Sequence, residues 1–168
     1  MPINFLEAKC SETTNVSLFG LCDAPPPSKD PAYISYEIAD KTEWIAEVEN
    51  NSLLEVVFTA VDNCIDVKRS DGSEEQRCEG FLTYSDVVIF VELKNRASKG
   101  WISKGRDQLM KTIELFSLNH DISLYNGKRA HIANKQRPFF EGGFQQTIDT
   151  FKADTGFTLQ IQSTIKIQ

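Results

Sequence analysis

The residues best placed to do chemistry sit at one strand end. The stretch VVIFVELKNR, residues 87–96, is near-continuous apolar sequence that closes on Glu92 and Lys94. Side chains alternate along a strand, so a carboxylate and an ammonium two residues apart share one face. The preceding stretch QRCEGFLTY reads as the other strand of a hairpin, joined at Ser85-Asp86. A two-residue turn pairs Tyr84 with Val87. One face then holds Thr83/Val88, Phe81/Phe90, Glu79/Glu92 and Arg77/Lys94. The other holds Leu82/Ile89, Gly80/Val91 and Cys78/Leu93, all apolar or small, and is expected to be core. A slip of one residue would mix the two faces, so the pattern supports this register.

The register sets Glu79 against Glu92, with Cβ atoms about 4.5–5.5 Å apart. Like charges so placed repel, and a cation between them would relieve the repulsion. Magnesium suits the position, since it commonly takes one or two carboxylates plus waters and phosphate oxygens. Lys94 on the same face would then hold or deprotonate a metal-bound water. Arg77 opposite Lys94 is a second like-charge pair and suggests an anion at that end. The alternative is that this face opens to water and the charges splay apart.

The elements around the hairpin follow from pattern. Residues 40–51 read as a short helix capped by Thr42, with Trp44, Ile45 and Val48 as its apolar stripe. Residues 53–61 read as a strand, and 69–75 as a turn centred on Asp71-Gly72. Ile102, Leu109, Ile113 and Phe116 recur at helical spacing and predict a helix over 103–118. A short strand follows at 128–134 and an amphipathic helix at 142–156, stopped by Gly156. Residues 157–167 alternate and predict one half-exposed strand. The order α-β-β-β-α-β, then α-β, predicts an α/β or α+β sheet with helices packed on it. The Pro-rich connector at 23–31 ends an N-terminal arm or edge segment, 1–39, leaving one domain over 40–168.

The 168 residues suffice for one real core, and no apolar run is long enough for a membrane span. The N-terminus lacks a basic region followed by an apolar stretch, so no signal peptide is expected. Cys10, Cys22, Cys64 and Cys78 have no metal-binding spacing, and with only two histidines a zinc site is not expected. The expectation is reduced thiols in a cytoplasmic protein. The net charge of −6 argues against a nonspecific nucleic-acid coat. It is unevenly spread: residues 1–66 carry −9 and residues 67–168 carry +3. Arg96, Lys99, Lys104, Arg106 and Lys111 form a basic stripe against one acid, Asp107. It reads either as a solvated helix face or as a phosphate-attracting surface.

The hairpin ending in ELK, followed by the basic helix with RDQL, resembles the PD-(D/E)xK nuclease superfamily, the restriction-endonuclease-like fold. The resemblance covers residues 40–134, read as an αβββαβ core with 135–168 as a C-terminal extension. Glu92-Leu93-Lys94 matches the ExK element and Gln108 the helix glutamine. Asp86 lies in the turn, roughly 20 Å along the strand from Glu92, so the first acid is carried over to Glu79. The family's Pro-Asp dipeptide is absent, and Glu stands in place of Asp. The resemblance implies a catalytic set of Glu79, Glu92, Lys94 and Gln108. It implies Mg2+ or Mn2+ on Glu79, Glu92 and the Leu93 carbonyl, with Glu47 as a further ligand. It implies nucleic acid, DNA first, held by Arg77, Arg96, Lys99, Lys104, Arg106 and Lys111.

The expected activity is metal-dependent endonuclease hydrolysis of phosphodiester bonds, in repair, recombination or anti-phage defence, by a homodimer or with a partner protein. No membrane and no small-molecule cofactor are expected. The alternative is a lapsed nuclease-like fold that binds protein, of the immunity or inhibitor type, which the acidic N-terminal third would suit. Several other residues are expected to be structural: His131 in its strand, Asp62 in a turn, Trp44 and Trp101 as packing anchors, and Gly142-Gly143 at a helix entry.

Overall fold

The computed structural model describes residues 2–137 and 143–168. Two sheets and two α-helices make an α+β fold. The larger sheet runs β1 (Ser11–Thr14), β5 (Val56–Ala60), β6 (Gly80–Tyr84), β7 (Val87–Lys94), β8 (Gly127–Asn134), β9 (Thr158–Gln160). The smaller runs β10 (Thr164–Lys166), β4 (Ala46–Glu49), β2 (Leu18–Cys22), β3 (Tyr33–Ser35). β7, β8 and β9 are parallel. Their crossovers carry α1 (Trp101–Asn119) and α2 (Gln145–Thr155) onto one face of the larger sheet. Gly142 of the expected α2 entry lies outside the described residues; Gly143 has φ +82°.

The hairpin register is the expected one, from Tyr84↔Val87 to Gly80↔Val91. Ser85 takes φ +48°, a left-handed value that tight two-residue turns use. Both faces of the hairpin are buried. Phe81, Val88 and Phe90 pack under Leu109, Ile113 and Phe116 of α1. Leu82, Ile89 and Val91 pack against Phe19, Leu21, Val48 and Ile165 of the smaller sheet. The layers are therefore helices, six strands and four strands. Gly80 permits the close crossing: a Cβ there would lie 2.6 Å from the Thr59 carbonyl oxygen. Cys78 departs from the expected alternation. It lies before β6 begins, packs on the helix side, and its N–H donates to Thr112 Oγ1 of α1 at 2.8 Å.

Three expectations are corrected. Residues 40–51 are not a helix: a 3-10 segment, Ile38–Glu43, leads into β4. Ala46 and Val48 are buried while Glu47 and Glu49 are half-buried, which is strand alternation. The C-terminal alternating stretch splits into β9 and β10 in different sheets. Phe157, Leu159 and Ile161 fill the helix-side core, and Ile165 and Ile167 the sheet-side core. Lastly, Cys10 and Cys64 form a disulfide, so these two thiols are not reduced. β1 pairs antiparallel with β5 through Ser11↔Thr59, which brings Cys10 beside the turn after β5 with a Cα–Cα distance of 5.9 Å. Cys22 and Cys78 are free and buried. No helix among the described residues is long and apolar enough to cross a membrane.

Candidate active site

The site forms where β7 leaves the sheet. Glu92 follows Phe90 on the helix-covered face and is only 1% exposed. A carboxylate buried this deeply needs fixed partners. Its Oε1 accepts from the Glu79 N–H at 3.1 Å, and its Oε2 lies 2.7 Å from Lys94 Nζ. Lys94 Nζ also donates to Gln108 Oε1 at 2.5 Å. Gln108 Nε2 in turn donates to the Arg77 carbonyl at 3.2 Å. One turn on, Thr112 Oγ1 donates to the Gln108 carbonyl while accepting from the Cys78 N–H. Helix α1 is thereby pinned to residues 77–79, and the lysine is held between a carboxylate and an amide oxygen.

Glu79 is the less satisfied acid. Its carbonyl accepts from the Val61 N–H at 2.8 Å, but its buried Oε2 has no hydrogen-bond donor among the described residues. Burial raises its pKa most, and Glu92, Asp23 and Asp62 raise it further. Burial also raises that of Glu92, with Lys94 pulling the other way. Asp23, just past β2, lies close enough to Glu79 for its charge to raise the Glu79 pKa. Burial and then the Asp62 charge push Asp23 up to about 6. The site holds more negative charge than Lys94 balances.

Glu79, Glu92, Lys94 and Gln108 thus converge as expected. Leu93 lies between the two charged residues with its side chain in the opposite, sheet-side core. Glu47 does not join them. It stands on β4 in the smaller sheet and pairs with Lys41 at 2.5 Å, on the side of β4 away from Ala46 and Val48. Arg77 meets its anions within the chain: Asp62 at 2.8 Å and Glu74 at 2.5 Å. Arg106 pairs with Asp107 and Lys111 with Glu114. Arg96, Lys99 and Lys104 are exposed and form no ion pair among the described residues.

Two residues of this region went unread in the sequence. Asp23 was hidden in the Pro-rich connector, because nothing local says that β2 ends beside Glu79. Asn134, 1% exposed, grips the loop after Lys94 from the end of β8. Its Oδ1 accepts from the Arg96 N–H at 3.1 Å and its Nδ2 donates to the Arg96 carbonyl at 2.8 Å. Trp44, Trp101 and His131 are buried, as packing residues should be.

Among the described residues, no three His, Cys, Asp or Glu side chains are set as a ligand group for a metal. No family model, curated protein or solved structure matches the chain.

Proposed function

We propose that the protein is a metal-dependent nuclease that hydrolyses phosphodiester bonds of nucleic acid. One observation carries the reading: the nearly buried Lys94 ammonium is locked between Glu92 and Gln108, beside Glu79 carboxylate oxygen that has no donor. A structural ion pair would not need an adjacent excess of acid, which destabilises the fold unless a cation arrives. Glu79 and Glu92 are hard oxygen donors of the kind Mg2+ or Mn2+ takes, the rest of the shell being water and phosphate oxygen. When bound, such an ion polarises the scissile phosphate and acidifies a bound water. Lys94 stabilises the negative charge that develops at phosphorus, and Gln108 fixes its direction. Arg96, Lys99 and Lys104 hold flanking phosphates, which positions the strand without reading sequence.

The test is a panel of single- and double-stranded DNA and RNA with Mg2+ or Mn2+. Wild type should cleave at least one substrate, and Lys94→Ala and Glu92→Ala should lose cleavage by at least about a hundredfold with circular dichroism unchanged. Unchanged cleavage in either variant, or none by wild type, sinks the proposal; the latter leaves the protein-binding reading.

A further inference from the structure

Strand β3 borders the smaller sheet and pairs only with β2 among the described strands. One row of its backbone donors and acceptors therefore faces away from the sheet. Free edges are usually guarded by lysine, proline or a bulge, because they invite another strand. β3 is only three residues long and Pro31 precedes it, but large side chains lie open along it. Tyr33, Tyr36 and Ile38 stand 48%, 42% and 55% exposed along and just after it. Tyrosine is enriched in protein interfaces, where it offers apolar area and a hydroxyl together.

Acids surround the three side chains. The Tyr36 hydroxyl donates to Glu12 on β1. Glu37 and Asp40 are exposed and form no ion pair among the described residues. Asp40 and Glu43 lie close enough to Tyr33 to disfavour its ionisation, after the larger effects of burial and Cys22. Lys41 is engaged with Glu47 at 2.5 Å and Lys135 with Glu43 at 3.7 Å, while Lys29, exposed ahead of β3, has no ion pair among the described residues and is outnumbered by Glu12, Glu37 and Asp40. The surface is thus an open strand edge, three apolar anchors and a net negative rim. A nucleic acid would be repelled there. A cationic strand would find backbone partners, side-chain contacts and opposite charge at once.

We propose that the β3 edge, with Tyr33, Tyr36 and Ile38, docks an extended lysine- or arginine-rich segment of another protein, which adds to the smaller sheet as a further strand. The inference does not depend on the nuclease reading, since no residue of the Lys94 site takes part.

The probe is a peptide of about ten residues alternating lysine and valine, with a glutamate–valine peptide as control. Titrated into the full chain, the lysine peptide should shift the amide resonances of residues 33–38 and bind more weakly as salt rises. Tyr36→Ala with Ile38→Ala should weaken it at least about tenfold. Glu37→Lys with Asp40→Lys, at exposed positions whose side chains form no ion pair among the described residues, should do the same. No binding, equal binding of the glutamate peptide, or shifts confined to other residues would overturn the proposal. So would a dimer of this chain broken by the same substitutions, which would give the edge to a second copy.

Discussion

The six-stranded sheet is buried on both faces, but its two cores end differently. The helix-side core is aromatic: Phe90 packs with Phe81, Phe116 and Phe157 at ring-centroid distances of 5.3, 5.4 and 5.6 Å. Two residues beyond Phe90 the same face carries Glu92, then Lys94. The sheet-side core mixes Leu82, Ile89, Val91 and Ala133 with Phe19, Phe58 and Tyr84, and a buried polar residue on that side, His131, stays neutral. Burial lowers the His131 pKa to about 4. A charge can lie at the end of the helix-side core because α1 and residues 77–79 bring an amide and backbone donors to it. On the sheet side a charged group, Arg129 of β8, lies toward the rim, where its guanidinium donates to the Tyr84 hydroxyl and the Lys166 carbonyl.

The first way to break this comparison is packing. Phe90→Ala should cost about 3–5 kcal/mol, since three aromatic neighbours cannot all collapse into the void. Ile89→Val, one residue away on the other face, should cost only about 0.5–1.5 kcal/mol. Urea midpoints measure both. Equal losses would mean that the aromatic face has no special role in seating α1 over the site.

The second way is charge. Lys94→Ala should destabilise by about 3 kcal/mol at neutral pH, because it leaves the buried Glu92 carboxylate without its cation. The sign with pH is fixed. Glu92 already has a raised pKa in the folded chain, and losing Lys94 raises it further. A carboxyl raised in this way keeps its stability below its unfolded pKa and loses it as pH climbs toward the folded one. The defect should therefore shrink in acid and grow in base. Glu92→Gln with Lys94→Met, which has no carboxyl to titrate there, should be stable without this pH dependence, yet have no cleavage activity. A double variant as unstable as Lys94→Ala would refute the ion-pair account.

How much of this could be read without coordinates follows from the range of each interaction. The Glu79/Glu92 opposition and Lys94 depend on alternation and on a two-residue turn, both local, and were legible; Gln108 was read only from the family resemblance. Glu47 was misplaced because Trp44, Ile45 and Val48 fit a helical stripe as well as a strand. What decides between them is the pairing of Glu47 with Gly20 and Thr164, far apart in sequence. The Cys10–Cys64 bridge and the approach of Asp23 to Glu79 likewise depend on strand order, which periodicity does not encode. The sheet-side core was half-legible: its apolar residues were expected, but not that a second sheet would cover them.

The smallest expected effect tests the residue that was read last. Burial and the Asp62 charge raise Asp23 to about 6, and Asp23 in turn raises Glu79. Above that pH the pair is strained by its own charge, so the fold should lose stability as pH rises from about 4 through 6. Asp23→Asn removes one charge from beside Glu79. It should raise stability at pH 8 by about 1 kcal/mol, kept small because the group is half-solvated. That is about 2–4 °C in melting temperature for a chain of this size. At pH 4, where Asp23 is already neutral, the gain should vanish. Millimolar Mg2+ should stabilise wild type more than Asp23→Asn, because the ion relieves in one what the amide has already relieved in the other. A substitution that destabilises at pH 8 would show that Asp23 is held by other contacts, and would leave Glu79 and Glu92 as the whole acidic half of the site.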